Sequence, residues 1–132
     1  MTGKTLAALL DGTLDAEKFS HRDHVIVAYE ALEGADFFTA LGLVVGGIAR
    51  LAASGGAAQK FNATITFAFV SLIAERMATT DHADAEDFMR CNPDLLTGTP
   101  LRRHYSSTRL ASDLSRQVAL LPDLAPMRQE PP

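Results

Sequence analysis

Apolar residues recur at the three- and four-residue spacing of an amphipathic helix along most of this chain. The first such pattern covers residues 6–10 and is stopped by Gly12, because glycine commonly ends helices. A second begins after Ser20, a favourable N-cap residue with Asp23 three positions later, and ends at Gly34. The N-terminal part of the chain is therefore predicted to form two helices.

A third helix is predicted after Asp36, which is placed to cap it, with a broad apolar face that continues to Leu51. This stretch also contains Gly42, Gly46 and Gly47. An interior glycine destabilises a helix by about 1 kcal/mol relative to alanine, so chance is a poor explanation for three of them. Their small size instead indicates that another helix approaches this one closely.

Residues 60–79 fit two patterns. Apolar and polar residues alternate over residues 61–69, which is typical of a strand. The apolar run then continues to Thr79 without a turn signal, and strands rarely exceed about 10 residues. The length favours a helix, and because the segment is apolar nearly all round, we expect it to be the central and mostly buried helix.

Two further helices are predicted in the C-terminal half. Asp84 is placed to cap a short helix that ends before Pro93, and Ser112 is placed to cap a last helix. The apolar positions of this last helix are Leu114, Val118 and Leu121. The fold class is therefore predicted as all-α, a single-domain bundle of five or six short helices over residues 1–124, followed by a disordered, proline-rich tail over residues 125–132.

Composition narrows the classes of protein to which the chain can belong. With 132 residues, 47% of them hydrophobic, it can form a core without a disulfide or a structural metal. Its 16 acidic and 12 basic residues argue against binding to nucleic acid. Its uncharged apolar stretches are shorter than the roughly 20 residues that span a bilayer, so we expect no membrane partner. The single Cys91 and the absence of an export signal favour a cytoplasmic protein.

Two histidines lie on the predicted buried face of the second helix. His21 and His24 are three residues apart, so both rings point to the side that carries Val25 and Ala28. Such a pair could ligate a divalent transition metal or act as general acid and base near neutral pH. The alternative is that one ring caps the helix or hydrogen-bonds within its first turn, and that the other packs at a helix junction.

A second polar group lies at the start of residues 60–79. Asn62 and Thr66 are one helical turn apart and Lys60 is near them, so the three could bind a small molecule. Alternatively, the Thr66 hydroxyl bonds back to the carbonyl four residues earlier and Lys60 extends into solvent. Tyr105 follows a basic stretch and could close such a pocket with its phenol or serve as a hydrophobic plug.

Several sequence blocks resemble those of a family of small bacterial all-helical proteins without an assigned activity. The blocks are Phe19-x-His21-Arg22-Asp23-His24-Val25, Lys60-Phe61-Asn62-x-Thr64-Ile65-Thr66, Asn92-Pro93-x-Leu95-Leu96, Tyr105-Ser106 and Pro122-Asp123-Leu124-Ala125-Pro126. The resemblance covers most of the chain and implies a helix over residues 60–79. Members usually carry His at the position of Asn62, and a third imidazole there would suit a three-His site for zinc, iron or copper. An amide is a much weaker ligand for these metals, which puts metal binding by this chain in doubt.

Two hypotheses from different classes follow. The first is an enzyme, metal-dependent or using histidine as acid and base, that acts on a small molecule in a polar pocket between the second helix and the helix of residues 60–79. The pocket is predicted to contain His21, His24, Lys60, Asn62, Thr66 and Tyr105. The second is a non-catalytic helical protein that forms a homodimer, or binds a partner, through its glycine-rich residues 40–51.

Overall fold

The computed structural model describes residues 3–124, and all regular structure in this part of the chain is helical. The α-helices are α1 (Lys4–Asp11), α2 (His21–Gly34), α3 (Phe37–Ser54), α4 (Ala63–Thr79), α5 (Ala85–Cys91), α6 (Ser107–Leu110) and α7 (Asp113–Gln117). Short 3₁₀ helices are formed by Ala16–Lys18, Ala58–Lys60, Pro93–Leu96 and Thr99–Arg103. The all-α prediction is confirmed, with seven α-helices among the described residues, where five or six were expected. The tail predicted over residues 125–132 lies outside them.

Helix capping by short polar side chains sets where α2, α3 and α5 begin. Ser20 Oγ accepts a hydrogen bond from the Asp23 N–H at 3.2 Å, and the Asp23 carboxylate accepts one from the Ser20 N–H at 2.9 Å. This reciprocal pair is a capping box. Asp36 and Asp84 each cap their helix by accepting a hydrogen bond from the backbone N–H three residues later, and Asp36 accepts a second one from the Thr39 hydroxyl. Gly12 ends α1 in the left-handed region, at a φ of 80°. The predicted helix boundaries at Gly12, Ser20, Asp36 and Asp84 are therefore confirmed.

The main hydrophobic core is organised around α2, which packs against α1, α3, α4 and α5. Each of these helices contributes buried apolar side chains to one continuous cluster. Representative members are Leu9, Val25, Val44, Ile73 and Phe88. Helix α4 lies beside α2 and α3, with its other side turned to α7. The segment expected to be the central helix is therefore one wall of the core, and α2 occupies the centre.

Residues 118–124 do not continue the last helix. Helix α7 ends at Gln117, and Val118 has extended backbone angles. The buried Thr64 hydroxyl donates to the Val118 carbonyl at 2.7 Å and accepts the Leu120 N–H at 3.0 Å. These bonds occupy backbone groups that a longer helix would pair internally. The prediction of a helix through Leu121 is therefore wrong. Its three apolar positions, Leu114, Val118 and Leu121, are exposed.

Close approach between helices is observed at one of the three glycines of α3. A Cβ atom added to Gly47 would lie 2.7 Å from a methyl carbon of Leu9 in α1. By contrast, a Cβ atom added to Gly42 would meet nothing within 4 Å. The expected helix contact is confirmed at Gly47, where the small residue lets α1 pack against α3.

The outward side of α3 exposes two large apolar side chains in its first half. Phe38 is 79% exposed and Leu43 is 37% exposed. Among the described residues, α3 is one helix whose length and composition would allow it to cross a membrane, with a mean hydropathy of 1.7. The sequence-based expectation rested on the nearly uncharged residues 40–49 and 61–74, and α3 extends the first of these apolar runs at both ends. Core helices of soluble proteins have the same length and composition, so this finding alone assigns no location.

Candidate functional site

A cavity of about 190 Å³ lies among α2, α3 and α4, and both histidines of α2 line it. Its other polar lining residue is Thr66, and its remaining lining side chains are apolar. They include Val44 and Ile48 of α3, and Ile65 and Phe69 of α4. A pocket between α2 and α4 is therefore present. It differs from the expected polar pocket because only three of its lining side chains are polar.

The His21 ring is fixed by a backbone carbonyl from a distant part of the chain. Its Nε2 atom lies 3.0 Å from the Leu95 oxygen, and the ring packs edge-on against Phe69 with centroids 5.0 Å apart. A carbonyl oxygen can only accept, so we assign the hydrogen to Nε2. In the neutral ring, Nδ1 therefore keeps its lone pair.

The His24 ring is also fixed by a backbone carbonyl, but through Nδ1, whereas His21 uses Nε2. Its Nδ1 atom lies 3.1 Å from the Ser20 oxygen, one turn earlier at the N-cap of α2, and the ring packs edge-on against Phe19. By the same argument Nδ1 carries the hydrogen, and Nε2 keeps its lone pair.

Burial lowers the pKa of His24. Desolvation is the largest cause and the nearby His21 adds to it, while the Ser20 carbonyl and Asp23 act in the opposite direction. Burial disfavours a charged ring, so His24 is neutral at pH 7.

The two imidazoles together form a pair of acceptors held by backbone carbonyls. Their ring centroids are 5.9 Å apart, with the ring planes at 41°. Each ring uses one nitrogen as a donor to a carbonyl, which leaves the other nitrogen available. This arrangement sets the tautomer and orientation of a functional histidine, whether it serves as a base or as a metal ligand.

A larger and more polar cavity of about 580 Å³ adjoins the first. The two share His24, Ile48, Ile65 and Thr66 as lining residues. Thr66 Oγ1 donates to the Asn62 carbonyl at 2.9 Å, which is the back-bonding expected as the alternative. The exposed Lys60 lines only this outer cavity. Thr66 therefore lines the same cavity as His21 and His24, whereas Lys60 does not.

Asn62 also lines the outer cavity, but its amide group is already engaged. As the N-cap of α4, its Oδ1 atom accepts from the Ile65 N–H at 2.9 Å and from the Ser115 hydroxyl at 3.0 Å. Its Nδ2 atom donates to the Leu110 carbonyl at 2.9 Å. An amide oxygen has two lone pairs, and both are used here. Asn62 thus ties α4 to α6 and α7 and has no lone pair left for a metal.

Tyr105 lines neither of these cavities. Its ring is buried in a separate small cluster with Ala68 and Leu101, and its hydroxyl donates to the Leu120 carbonyl at 2.9 Å. Ala68 is two residues from Thr66, which places it on the opposite side of α4. The structure therefore puts Tyr105 behind the helix, where it packs as a hydrophobic side chain and does not close the pocket.

The described residues fit a three-ligand transition-metal site poorly. Among them, no group of three His, Cys, Asp or Glu side chains is placed to hold a metal ion. His21 and His24 would supply two ligands, and the residue at which the predicted family resemblance implies a third imidazole is the engaged Asn62. A site for zinc usually needs at least three protein ligands, so the pair is incomplete.

Comparisons with protein-family models, curated proteins and solved structures gave no match to this chain. The resemblance to the family of small bacterial helical proteins therefore stays a prediction, and the function must be argued from the site. Sequence analysis did not identify Leu95 and Phe69 as part of that site. A backbone carbonyl carries no sequence signal, and Phe69 looks like any core aromatic residue.

Proposed function

We propose that the protein binds a small molecule in the cavity beside His21 and His24, and that His24 acts on it as a general base and acid. One observation supports this most directly. Both rings line the same cavity, and each has one nitrogen held by a backbone carbonyl and the other nitrogen available. The alternative, one ring bonded within the first turn of α2 and the other packed at a helix junction, accounts for the two fixed nitrogens. The nitrogens left free beside the cavity are what favour a functional site.

The chemistry follows from the protonation state of His24. Because burial lowers its pKa, the ring is neutral and Nε2 can accept a proton from a bound molecule. The imidazolium that forms keeps its Nδ1–H bond to the Ser20 carbonyl, which favours the charged form. Returning the proton from Nε2 completes the cycle. This mechanism uses two nitrogens of one ring and needs no third ligand, so it suits the described residues better than a metal-dependent one.

Methyl NMR of the wild-type protein with a library of small uncharged fragments tests the proposal. Fragments that bind should shift the methyl signals of Val44, Ile48 and Ile65, which line the cavity. The variant Ala28→Leu fills part of the cavity and should abolish these shifts. Ala53→Leu is the matched control, because Ala53 is exposed on α3 and should leave binding unchanged.

Two results would contradict the proposal. One is a library in which no fragment shifts the cavity methyls. The other is binding that survives in folded Ala28→Leu, because the fragments would then occupy another site.

A second candidate function is self-association or partner binding through α3. It is favoured by the exposed Phe38 and by the open space above Gly42. Sedimentation equilibrium at micromolar concentration tests for a dimer, which Gly46→Leu should weaken. Leu121→Ser, an exposed position distant from α3 in the sequence, is the control. A monomer unaffected by Gly46→Leu would rule out self-association through α3.

A further inference from the structure

The side chains that line the smaller cavity offer hydrogen-bond acceptors and no free donors. The hydrogen of His21 is used by the Leu95 carbonyl, and the hydrogen of His24 is used by the Ser20 carbonyl. The hydroxyl hydrogen of Thr66 is used by the Asn62 carbonyl at 2.9 Å. What remains is His21 Nδ1, His24 Nε2 and the lone pairs of Thr66 Oγ1. A molecule that pairs with these groups must bring its own donor.

The cavity also favours a molecule without charge. None of the described residues that line it is Asp, Glu, Lys or Arg. A cation or anion placed there would lose its hydration with no opposite charge to compensate, which is strongly unfavourable. The two charged residues that line the adjoining cavity, Glu17 and Lys60, do not line this one.

Cavity size and wall chemistry limit the body of the molecule. An apolar cavity of about 150 Å³ accommodates a benzene ring. The volume here is about 190 Å³, which leaves space for one further small substituent. Phe69, Ile48 and Val44 offer apolar surface for a ring. The space is therefore suited to a six-membered ring with a single polar group.

We propose that the cavity selects a neutral, phenol-sized ring whose hydroxyl donates its hydrogen to Nε2 of His24. His24 is chosen over His21 because it lines both cavities, whereas His21 lines only the smaller one. The inference rests on the proposed function and adds the ligand class: a hydroxylated aromatic molecule, as opposed to an acid, an amine or a hydrocarbon.

Phenol and toluene distinguish this ligand class, because they have nearly the same shape and differ in the donor. Water solvates phenol better than toluene, so a cavity without an acceptor would bind toluene more tightly. A preference for phenol requires a hydrogen bond inside the cavity. The sign of the preference is therefore diagnostic.

The experiment is a titration of the full chain with phenol and with toluene, followed by the methyl signals of Val44, Ile48 and Ile65. We expect wild-type protein to bind phenol about tenfold more tightly than toluene, the effect of one buried hydrogen bond. In His24→Leu the preference should reverse, because the acceptor is lost while an apolar side chain remains. His104→Leu, the same substitution at an exposed histidine that lines neither cavity, should retain the preference for phenol.

The outcomes separate the two proposals. If toluene binds the wild-type protein as tightly as phenol or more tightly, the ligand class is wrong while the binding cavity stands. If phenol is preferred equally in wild type and in folded His24→Leu, the assigned acceptor is wrong. If neither molecule shifts the cavity methyls and the fragment library also fails, the proposed function falls, and the ligand class with it. The comparison of phenol with toluene in wild-type protein needs no variant to fold.

Discussion

The imidazole of His21 donates to the carbonyl of Leu95 across 3.0 Å, which joins the first turn of α2 to the 3₁₀ helix after α5. Leu95 is itself completely buried in the main core. The orientation of a candidate functional ring therefore depends on a backbone position 74 residues away, held by core packing.

Opposite tautomers are the first expected consequence of this geometry. At pH 7.5, His21 should carry its hydrogen on Nε2 and His24 on Nδ1, because each ring donates to a carbonyl through that atom. Long-range proton–nitrogen correlation spectra distinguish the two forms directly. The exposed His104 is an internal control with no such constraint. Finding the same tautomer at both positions would contradict the assignment.

Stability should fall in acid partly because of His24. Burial lowers its pKa in the folded protein below the ordinary value of 6.5, so the unfolded chain binds the proton more readily. The stabilisation is complete above pH 6.5 and is lost as the pH falls through the lowered pKa of the folded state. Urea unfolding measures the free energy of unfolding at pH 7.5 and at pH 5. The drop in this free energy between the two pH values should be smaller for His24→Leu than for wild type. The exposed His104→Leu should match wild type, and an unchanged difference in His24→Leu would refute the effect.

The two threonines near the start of α4 should respond differently to loss of the hydroxyl. Thr64→Val leaves the Leu120 N–H and the Val118 carbonyl without their partner and should destabilise the fold by about 2 kcal/mol or more. Thr66→Val removes one bond within its own helix and should change stability by less than about 1 kcal/mol. Chemical unfolding of both variants measures the contrast. Equal effects would mean that Thr64 does not hold the C-terminal segment.

The glycines of α3 provide a matched test of helix packing. Alanine at Gly42 meets open space and should stabilise the helix by up to about 1 kcal/mol. Alanine at Gly47 gains the same helix propensity but collides with Leu9, so it should be at least about 1 kcal/mol less stable than the Gly42 variant. Thermal unfolding of Gly42→Ala and Gly47→Ala gives the comparison. Equal stabilities would show that α1 moves aside without strain.

Local signals in the sequence were sufficient for most helix boundaries. Ser20, Asp36 and Asp84 act within three residues of their own position, so their capping role can be recognised without knowing the fold. The shared side of His21 and His24 is equally local, because helix geometry fixes it. These predictions needed no information from elsewhere in the chain.

Long-range contacts explain what the sequence did not reveal. The apolar spacing after Ser112 predicts a helix through Leu121, but α7 ends at Gln117. Beyond that end, Thr64 and Tyr105 bind the backbone at Leu120. Tyr105 was expected to close the pocket with its phenol. In the structure its ring packs beside Ala68, away from the cavity lined by the histidines. Thr64 is far in sequence from Leu120, and Ala68 is far from Tyr105, so neither contact can be recognised from neighbouring residues.

The alternation over residues 61–69 also has a three-dimensional explanation. The polar residues of this alternation, Asn62, Thr64 and Thr66, do not form the solvent-facing side of a strand. Asn62 and Thr64 turn toward the C-terminal segment, and Thr66 turns toward the cavity. A helix with polar contacts on two sides produces the same sequence pattern as a half-buried strand.

The hydrogen bonds of Asn62 constrain which side chains residue 62 could carry. An amide here accepts two hydrogens and donates one, joining α4 to the backbone at Leu110 and to Ser115. An imidazole offers one donor and one acceptor when neutral and cannot reproduce all three bonds. A chain that used residue 62 as a metal ligand would have to release α6 and α7 or hold them by other means. Ligand chemistry at the pocket and anchoring of the C-terminal helices are therefore competing uses of a single side chain.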